Sequence, residues 1–212
     1  MTTMPQPWGA LSVPQGATGI TVRPMQPDDA DLLFAMHQRL SPESIYYRYL
    51  QYRRPTLAEI ATVCRLAPAR GAGFVAAHQE PAADAPSIIV GMAYYIREAH
   101  ALEPTAEPGI LVEDRFQQQG IGRRLWQQMQ RHAQIAGLRR LRVWAHPHNQ
   151  RLAQLVRGGG LPYQTNGYDG LSEYLVDLGE PLRYSSDRHP SQPISASLIN
   201  QYRQMTERPI WN

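Results

Sequence analysis

The sequence predicts an α/β fold, with a mixed β-sheet at its centre and helices on both faces of that sheet. Two observations lead to this prediction. The first half contains two apolar segments, residues 74–77 and 87–96, and the loop between them carries Pro81 and Pro86, which is typical of paired strands. From residue 110 onward, strand-like and helix-like segments alternate along the chain, which favours helices packed on both sides of a sheet.

Local patterns predict the individual elements in order. The β-branched residues at 20–22 predict the first strand, and Pro27, followed by two aspartates, predicts the start of a helix. Ser41, followed by Pro42, predicts the N-terminus of a second helix. Further on we predict helices over residues 56–66, 122–136 and 149–157, with Gly137 as a C-cap, and strands over residues 110–112, 141–145 and 171–178.

The length of 212 residues fits one domain with tails. We predict an N-terminal extension over residues 1–19, the folded domain over 20–178, and a C-terminal tail with a short helix over 179–212. The apolar run at 88–96 is too short to span a bilayer, and the first residues lack the pattern of a signal peptide. A single cysteine, Cys64, cannot form an internal disulfide, which suits a reducing compartment, so we expect a cytoplasmic protein. Because no membrane-spanning segment is predicted, we expect no membrane partner.

The charged residues give no indication of a nucleic-acid partner. The formal net charge is +3, and all 21 basic residues other than histidine are arginines. Because no basic motif is interleaved with aromatic residues, we do not expect the chain to bind nucleic acid. His146 and His148 could begin a metal site, but no third ligand is spaced with them, so no metal is predicted.

The most informative segment is residues 112–125, in which a strand leads through a glycine-containing turn directly into a helix. Such a turn presents unpaired backbone N–H groups at a helix N-terminus, which bind anions. Gly120 and Gly122 let the backbone approach a phosphate closely, and Arg123 and Arg124 add positive charge.

The register of this segment resembles that of a known family. Gln117, Gly120 and Gly122 form Gln-x-x-Gly-x-Gly, preceded by Val-x-Asp-x-Phe at 112–116, and this resembles the acetyl-CoA motif of the GNAT superfamily. Residues 149–161 are similar to a later motif of that superfamily. The resemblance implies a mostly antiparallel sheet with a splayed pair of strands, and acetyl-CoA as co-substrate without a metal. It implies the following cofactor-binding residues: Leu111, Val112, Gln117, Gln118, Gln119, Gly120, Ile121, Gly122, Arg123 and Asn149.

A finer resemblance is to the acyltransferase domain of bacterial protein-lysine acetyltransferases, the Pat group. The segment at 40–49 and the pair Ala106-Glu107 carry it. It implies an N-acetyltransferase with Glu107 as general base and a primary amine, such as a protein lysine, as acceptor. Glu107 as a solvent-facing loop residue is the alternative. Glu113 and Asp114 compete for the role of base, although their place in the loop favours a part in shaping the turn.

Other catalytic groups are less defined. Backbone N–H groups near Leu111 and Val112 could stabilise an oxyanion if a bulge at Pro108-Gly109 opened the strand ladder. The tyrosine that serves many GNAT enzymes as general acid is absent, because Gln154 and Leu155 stand in its place.

Two alternatives stay open at this stage. The chain could be a non-catalytic acyl-CoA-binding sensor or interaction module instead of an enzyme. A protein acceptor would favour an open acidic groove, which Glu98, Glu103 and Glu107 could form, whereas a small amine would favour a closed pocket. A homodimer is also left open.

Overall fold

Seven strands form one sheet in the part of the chain that the computed structural model describes, residues 19–79 and 87–180. The strands are β1 (Ile20–Pro24), β2 (Gly71–His78), β3 (Ile88–Arg97), β4 (Thr105–Val112), β5 (Arg140–Ala145), β6 (Tyr163–Tyr168) and β7 (Leu171–Asp177). The helices are α1 (Ala30–Gln38), α2 (Pro42–Tyr49), α3 (Leu57–Cys64), α4 (Ile121–Ile135) and α5 (Gln150–Arg157). The order in the sheet is β1-β2-β3-β4-β5-β7-β6. The predicted fold class is confirmed.

Neighbouring strands are antiparallel throughout this sheet except at β4 and β5, which are parallel. The parallel pair is short: Thr105 lies opposite Arg140, Ala106 lies opposite Leu141, and the pairing then stops. Beyond Ala106 the two strands diverge, so the sheet has a gap at its centre.

Pro108 helps to explain where the pairing stops. Thr105 accepts a hydrogen bond from the backbone N–H of Glu98, at 2.9 Å, which places the odd-numbered backbone groups of β4 on the β3 side. The even-numbered groups therefore face β5, and Pro108 has no N–H to donate there. A proline is tolerated inside this strand because its missing donor faces the gap.

The sheet separates two apolar cores, one under each layer of helices. On one face α4 buries Leu125, Trp126 and Met129 against the strands. On the other face α1 and α2 bury a second cluster that includes Leu33 and Ile45. The helices therefore lie on both faces, as predicted.

Capping residues determine where several helices begin and end. The Ser41 side chain accepts the backbone N–H of Ser44 at 3.1 Å, and Pro42 occupies the first turn of α2. Thr56 and Glu59 form a capping box at α3. Gly137 follows α4 with a φ of +79°, as expected for a residue that ends a helix.

Three details differ from the sequence-based expectation. Strand β4 begins at Thr105 rather than at residue 110, so Glu107 lies in a strand and not in a loop. No bulge occurs at Pro108-Gly109, because the register between β3 and β4 is continuous from Arg97–Ala106 to Gly91–Val112. Strand β6 was not predicted.

Some expectations concern parts of the chain that are only partly described. Residues 1–18 of the N-terminal extension and residues 181–212 of the tail, with its predicted short helix, lie outside the described residues. Cys64 is buried, and burial raises the pKa of its thiol to about 11, as suits an inert cysteine. No helix among the described residues is long and apolar enough to cross a membrane.

Candidate active site

A cavity of about 430 Å³ lies where β4 and β5 diverge. Strand β4 and the loop after it form one wall, and α2, α4, β5 and α5 contribute the others. Its lining residues are Ser44, Tyr47, Arg48, Pro108, Gly109, Ile110, Leu111, Val112, Gln117, Gln118, Gly120, Gly122, Arg123, Trp126, Val143, Trp144, Asn149, Arg151, Leu152, Gln154, Leu155 and Gly158.

The N-terminus of α4 opens into this cavity. Gly120 precedes the helix with a φ of +80°, which favours glycine, and no side chain of the described residues caps the helix. The backbone N–H groups of Ile121, Gly122 and Arg123 belong to the first turn, in which an α-helix offers no internal partner. A Cβ atom added to Gly120 would meet no other atom within 4 Å. The loop therefore presents donors on an open surface that an anion can reach.

Side chains from α2 hold the loop before α4 in place. Asp114 accepts hydrogen bonds from the Ser41 backbone and hydroxyl at 2.9 and 2.8 Å, and from the Ser44 hydroxyl at 2.7 Å. Burial opposes ionisation of Asp114, but these hydrogen bonds outweigh it and keep the pKa of the carboxyl below its usual value. Gln117 donates to the carbonyl of Val112 at 2.9 Å, which closes the turn.

Glu113 also holds this loop in place. Its carboxylate is buried and forms ion pairs with Arg39 at 2.8 Å and with Arg115 at 2.5 Å. The two arginines together compensate the buried carboxylate. Glu113 and Asp114 therefore shape the turn, and neither lines the cavity.

Backbone donors on β4 face the gap. Glu113 donates its backbone N–H to Val90 of β3 at 2.8 Å, so Leu111, two residues earlier, also directs its backbone groups towards β3. The N–H groups of Ile110 and Val112 point the other way, into the gap. Of the two expected donors, Val112 directs its N–H into the gap, whereas Leu111 does not. Ile110 takes the place of Leu111.

The model of the Acetyltransferase (GNAT) family matches residues 35–158. The chain belongs to this family. The predicted family is confirmed, and the match includes β4, the loop, α4 and α5, which form most of the cavity.

Solved structures share the fold of this GNAT acetyltransferase. The GNAT domain of PAT from S. lividans superposes with a TM-score of 0.65 at 23% identity, covering 74% of this chain and 90% of that domain. A putative acetyltransferase from Salmonella typhimurium, solved with its cofactor acetyl-CoA, gives 0.59 at 13% identity, covering 80% and 98%. A GNAT-family acetyltransferase from Streptococcus pneumoniae gives 0.57 at 20% identity, covering 74% and 97%.

The cavity of the GNAT acetyltransferase fits acetyl-CoA. The open N-terminus of α4, without a side-chain cap, suits a pyrophosphate. The gap-facing backbone groups of β4 suit the amides of the cofactor's extended arm, because beyond Ala106 they pair with no strand in the described part of the chain. When bound, acetyl-CoA supplies the activated acyl group.

The structure brings most of the predicted cofactor-binding residues to one cavity. Those that line it are Leu111, Val112, Gln117, Gln118, Gly120, Gly122, Arg123 and Asn149. Gln119 instead donates to the carbonyl of Arg115 at 2.9 Å, and the Ile121 side chain lies in the core at 1% exposure. Asn149 caps α5 by accepting the N–H of Leu152 at 3.1 Å.

Several lining residues did not emerge from the sequence. Arg48, Tyr47 and Ser44 belong to the Pat-like segment, which was the available signal for them, and Trp144 and Arg151 had none. Trp126 is both fully buried and part of the lining. Arg124 turns away from the loop and donates to the carbonyl of Ile20 at 3.1 Å.

Glu107 is exposed on β4 and does not line the cavity. Its side chain lies on the same face of the strand as that of Leu111, which is the face on which Gly109 meets Arg48 of α2. Glu107 is therefore near the cavity along the strand but not enclosed by it.

Two tyrosine side chains of α2 contact a histidine in the loop after β5. The ring centroid of His146 lies 5.6 Å from that of Tyr46 and 6.0 Å from that of Tyr47. His146 accepts the backbone N–H of His148 at Nδ1, at 3.2 Å, so its neutral form carries a proton on Nε2. Across residues 19–79 and 87–180, no three His, Cys, Asp or Glu side chains are grouped to hold a metal.

Glu98, Glu103 and Glu107, which could have formed an acidic groove for a protein acceptor, do not form one, because two of them pair with arginines. Glu98 pairs with Arg142 at 3.1 Å, and Glu103 pairs with Arg140 at 3.2 Å. Arginines of β5 therefore compensate two of the three glutamates.

Proposed function

We propose that this GNAT acetyltransferase transfers the acetyl group of acetyl-CoA to a primary amine by direct attack on the thioester. The gap between β4 and β5 carries this proposal. It connects the N-terminus of α4 with a cavity that α2 also lines, and the N–H groups of Ile110 and Val112 face that gap. The two donors would stabilise negative charge that develops on the thioester oxygen.

The amine must lose a proton to react. A lysine-like amine has a pKa of about 10.4, so its neutral form costs about 4–5 kcal/mol at pH 7. The amine nitrogen bonds to the acyl carbon, the carbon–sulfur bond breaks, and the proton passes to Glu107 through a water. The position of Glu107 on the α2 face, two residues from the cavity-lining Gly109, supports a water-mediated route over a direct one.

A second candidate function is a non-catalytic acyl-CoA-binding module. The observation that favours it is the composition of the cavity wall, which contains no Asp, Glu or His among the described residues. Gln154 and Leu155 both line the wall, and neither can protonate a leaving thiolate. If the protein is nevertheless an enzyme, the thiolate would leave without a proton donor. A thiol of ordinary acidity permits this.

Release of free thiol from acetyl-CoA distinguishes the two functions. The full chain is mixed with acetyl-CoA and a panel of amines and lysine peptides, and thiol is followed with time. An acetyltransferase releases thiol only when an acceptor is present, and mass spectrometry then finds the acetylated amine. Tight binding of acetyl-CoA by calorimetry without thiol release from any acceptor would support the binding module instead.

A further inference from the structure

We propose that Ser44 and Asp114 transmit the binding of acetyl-CoA from the loop before α4 to helix α2, which makes both of them positioning residues for the cavity. Together with Ser41 and Gln117 they form a hydrogen-bonded group that we call the α2 latch. The inference goes beyond the proposed function, because it concerns how the cavity is held when the cofactor binds and requires no transfer of the acetyl group.

The α2 latch joins two elements that both line the cavity. Asp114 accepts the Ser41 backbone N–H at 2.9 Å, the Ser41 hydroxyl at 2.8 Å and the Ser44 hydroxyl at 2.7 Å. Gln117 donates from Nε2 to the Ser44 hydroxyl at 3.3 Å and to the carbonyl of Val112 at 2.9 Å. Ser44 and Gln117 themselves lie in the cavity wall. The latch is therefore part of the same cavity that fits acetyl-CoA.

Helix α2 depends on the latch at its N-terminus. It has eight residues, and a helix this short is marginal in water without tertiary contacts. Ser41 caps it by accepting the N–H of Ser44 at 3.1 Å, and the Asp114 carboxylate adds a negative charge at the end where the helix dipole favours one. Burial opposes ionisation of Asp114, but the latch hydrogen bonds outweigh it and keep its pKa below the usual value, so this charge is present at neutral pH.

Backbone strain occurs in both elements that the latch joins. The described part of the chain contains three non-glycine residues with positive φ, and two of them belong to this region. Leu50 ends α2 with a φ of +54°, and Gln118, next to Gln117 in the loop, has a φ of +61°. Such conformations are costly for residues with a side chain and persist only where surrounding contacts hold them. Local opening of α2 and of the loop should therefore require little free energy, and the latch restrains both.

A ligand on the loop strengthens the latch. The backbone N–H groups at the start of α4 suit the pyrophosphate of acetyl-CoA, and Asp114 and Gln117 lie in the loop that leads into this helix. Binding there restricts the loop, so these two side chains spend more time in the positions in which they hold the start of α2. The part of the cavity wall that α2 contributes, which includes Tyr47, is then held more firmly.

Hydrogen–deuterium exchange of the full chain, with and without CoA, tests the inference without any turnover. CoA is the probe because it carries the same pyrophosphate and extended arm as acetyl-CoA and has no acetyl group to transfer. We expect CoA to slow exchange at residues 120–124, and to slow it in α2 by about tenfold, which corresponds to the worth of about one hydrogen bond. Calorimetry sets a CoA concentration that saturates each protein.

Ser44→Ala removes one hydroxyl of the latch and leaves the Ser41 cap of α2 intact. In this variant CoA should still slow exchange at residues 120–124, but its effect on α2 should fall from about tenfold to about twofold or less. Thr62→Ala is the matched control, because it removes a hydroxyl that bonds within α3 at 2.9 Å. It should behave like the unaltered protein.

A purely structural role of the latch gives a different result. It would make α2 exchange faster in Ser44→Ala by the same factor with and without CoA, so that the effect of CoA was unchanged, and this would overturn the inference. Protection of residues 120–124 without protection of α2 in the unaltered protein would overturn it too. If Ser44→Ala does not fold, as judged by circular dichroism, Asp114→Asn replaces one accepting oxygen with a donor and should reduce the CoA effect on α2 in the same way. An unchanged effect in that variant would contradict the inference.

The outcome is separable from that of the proposed function. If CoA protects α2 through the latch but no amine releases thiol from acetyl-CoA, the transferase proposal fails and this inference holds. If amines are acetylated but CoA leaves the exchange of α2 unchanged, this inference fails and the proposed function holds. If calorimetry detects no CoA binding at millimolar ligand, both fail.

Discussion

Acidification should destabilise this protein through one buried imidazole, that of His37. The side chain is completely buried between α1 and α2. Its Nδ1 lies 2.7 Å from the carbonyl oxygen of Leu33, and its Nε2 lies 2.7 Å from the hydroxyl of Tyr49. A carbonyl only accepts, so Nδ1 carries the proton and Nε2 accepts from the tyrosine. Both nitrogens of the neutral ring are therefore satisfied.

Burial is the main reason that the pKa of His37 falls from 6.5 to about 4. The positive charges of Arg48 and Arg54 lower the pKa further, and the hydrogen bond to Leu33 only partly opposes them. In the unfolded chain His37 takes up a proton near pH 6.5, whereas the folded protein resists until about pH 4. The unfolded state thus binds more protons in this window, and stability falls as the pH falls through it.

The size of the effect follows from the two pKa values. The difference between 6.5 and about 4 is worth about 3 kcal/mol once the pH lies below both values, and about 2 kcal/mol of it is lost by about pH 5. Small domains are stable by about 5–15 kcal/mol, so this loss is measurable.

Urea unfolding between about pH 7.5 and about pH 5 measures it. His37→Gln removes the titrating group, so its free energy of unfolding should decline less steeply by about 2 kcal/mol over this interval. His100→Gln, at an exposed histidine, serves as the control and should decline like the unaltered protein. Equal declines for all three proteins would refute the reasoning. So would an NMR titration of His37 that gave a pKa above about 6.

Three further predictions concern the cavity. Gly120→Glu should abolish acetyl-CoA binding at millimolar ligand in calorimetry, since a carboxylate would meet the pyrophosphate; Gly170→Glu, at another glycine with positive φ and open surroundings, should leave binding intact. Glu107→Gln should lower kcat by about tenfold to a thousandfold while acetyl-CoA affinity stays similar, whereas the control Glu103→Gln should leave kcat unchanged. An unchanged rate for Glu107→Gln would exclude Glu107 as the base. Asn149→Ala should cost about 1 kcal/mol of stability in urea unfolding through loss of the α5 cap, and no measurable cost would remove that role.

Local chemistry explains which elements were predictable. Ser41 and Pro42 define the start of α2, and the glycines around residue 120 define the turn before α4, because capping and positive φ depend on neighbouring residues only. Strand β6 was missed because it pairs only with β7 at the end of the sheet, and its Gln, Thr, Asn and Gly residues lack an apolar pattern.

The beginning of β4 was missed for a different reason. Pro104 and Pro108 argue against a strand when the sequence is read locally. In the folded protein Pro104 precedes the strand, and the absent donor of Pro108 faces the gap rather than a neighbouring strand. Only the pairing of β4 with its two neighbours shows that the proline is acceptable there.

The sequence by itself determined the family, the fold class and the glycine-containing turn before α4, because these depend on contiguous residues whose backbone chemistry is local. The tertiary structure alone decided what surrounds β4 on the face that α2 covers. Packing placed Arg48 of α2 on Gly109 of β4, left Glu107 exposed, and paired Glu98 and Glu103 with arginines of β5. Each of these contacts joins residues from separate elements. Their charges act only through the distances that folding sets, so no local pattern could predict them.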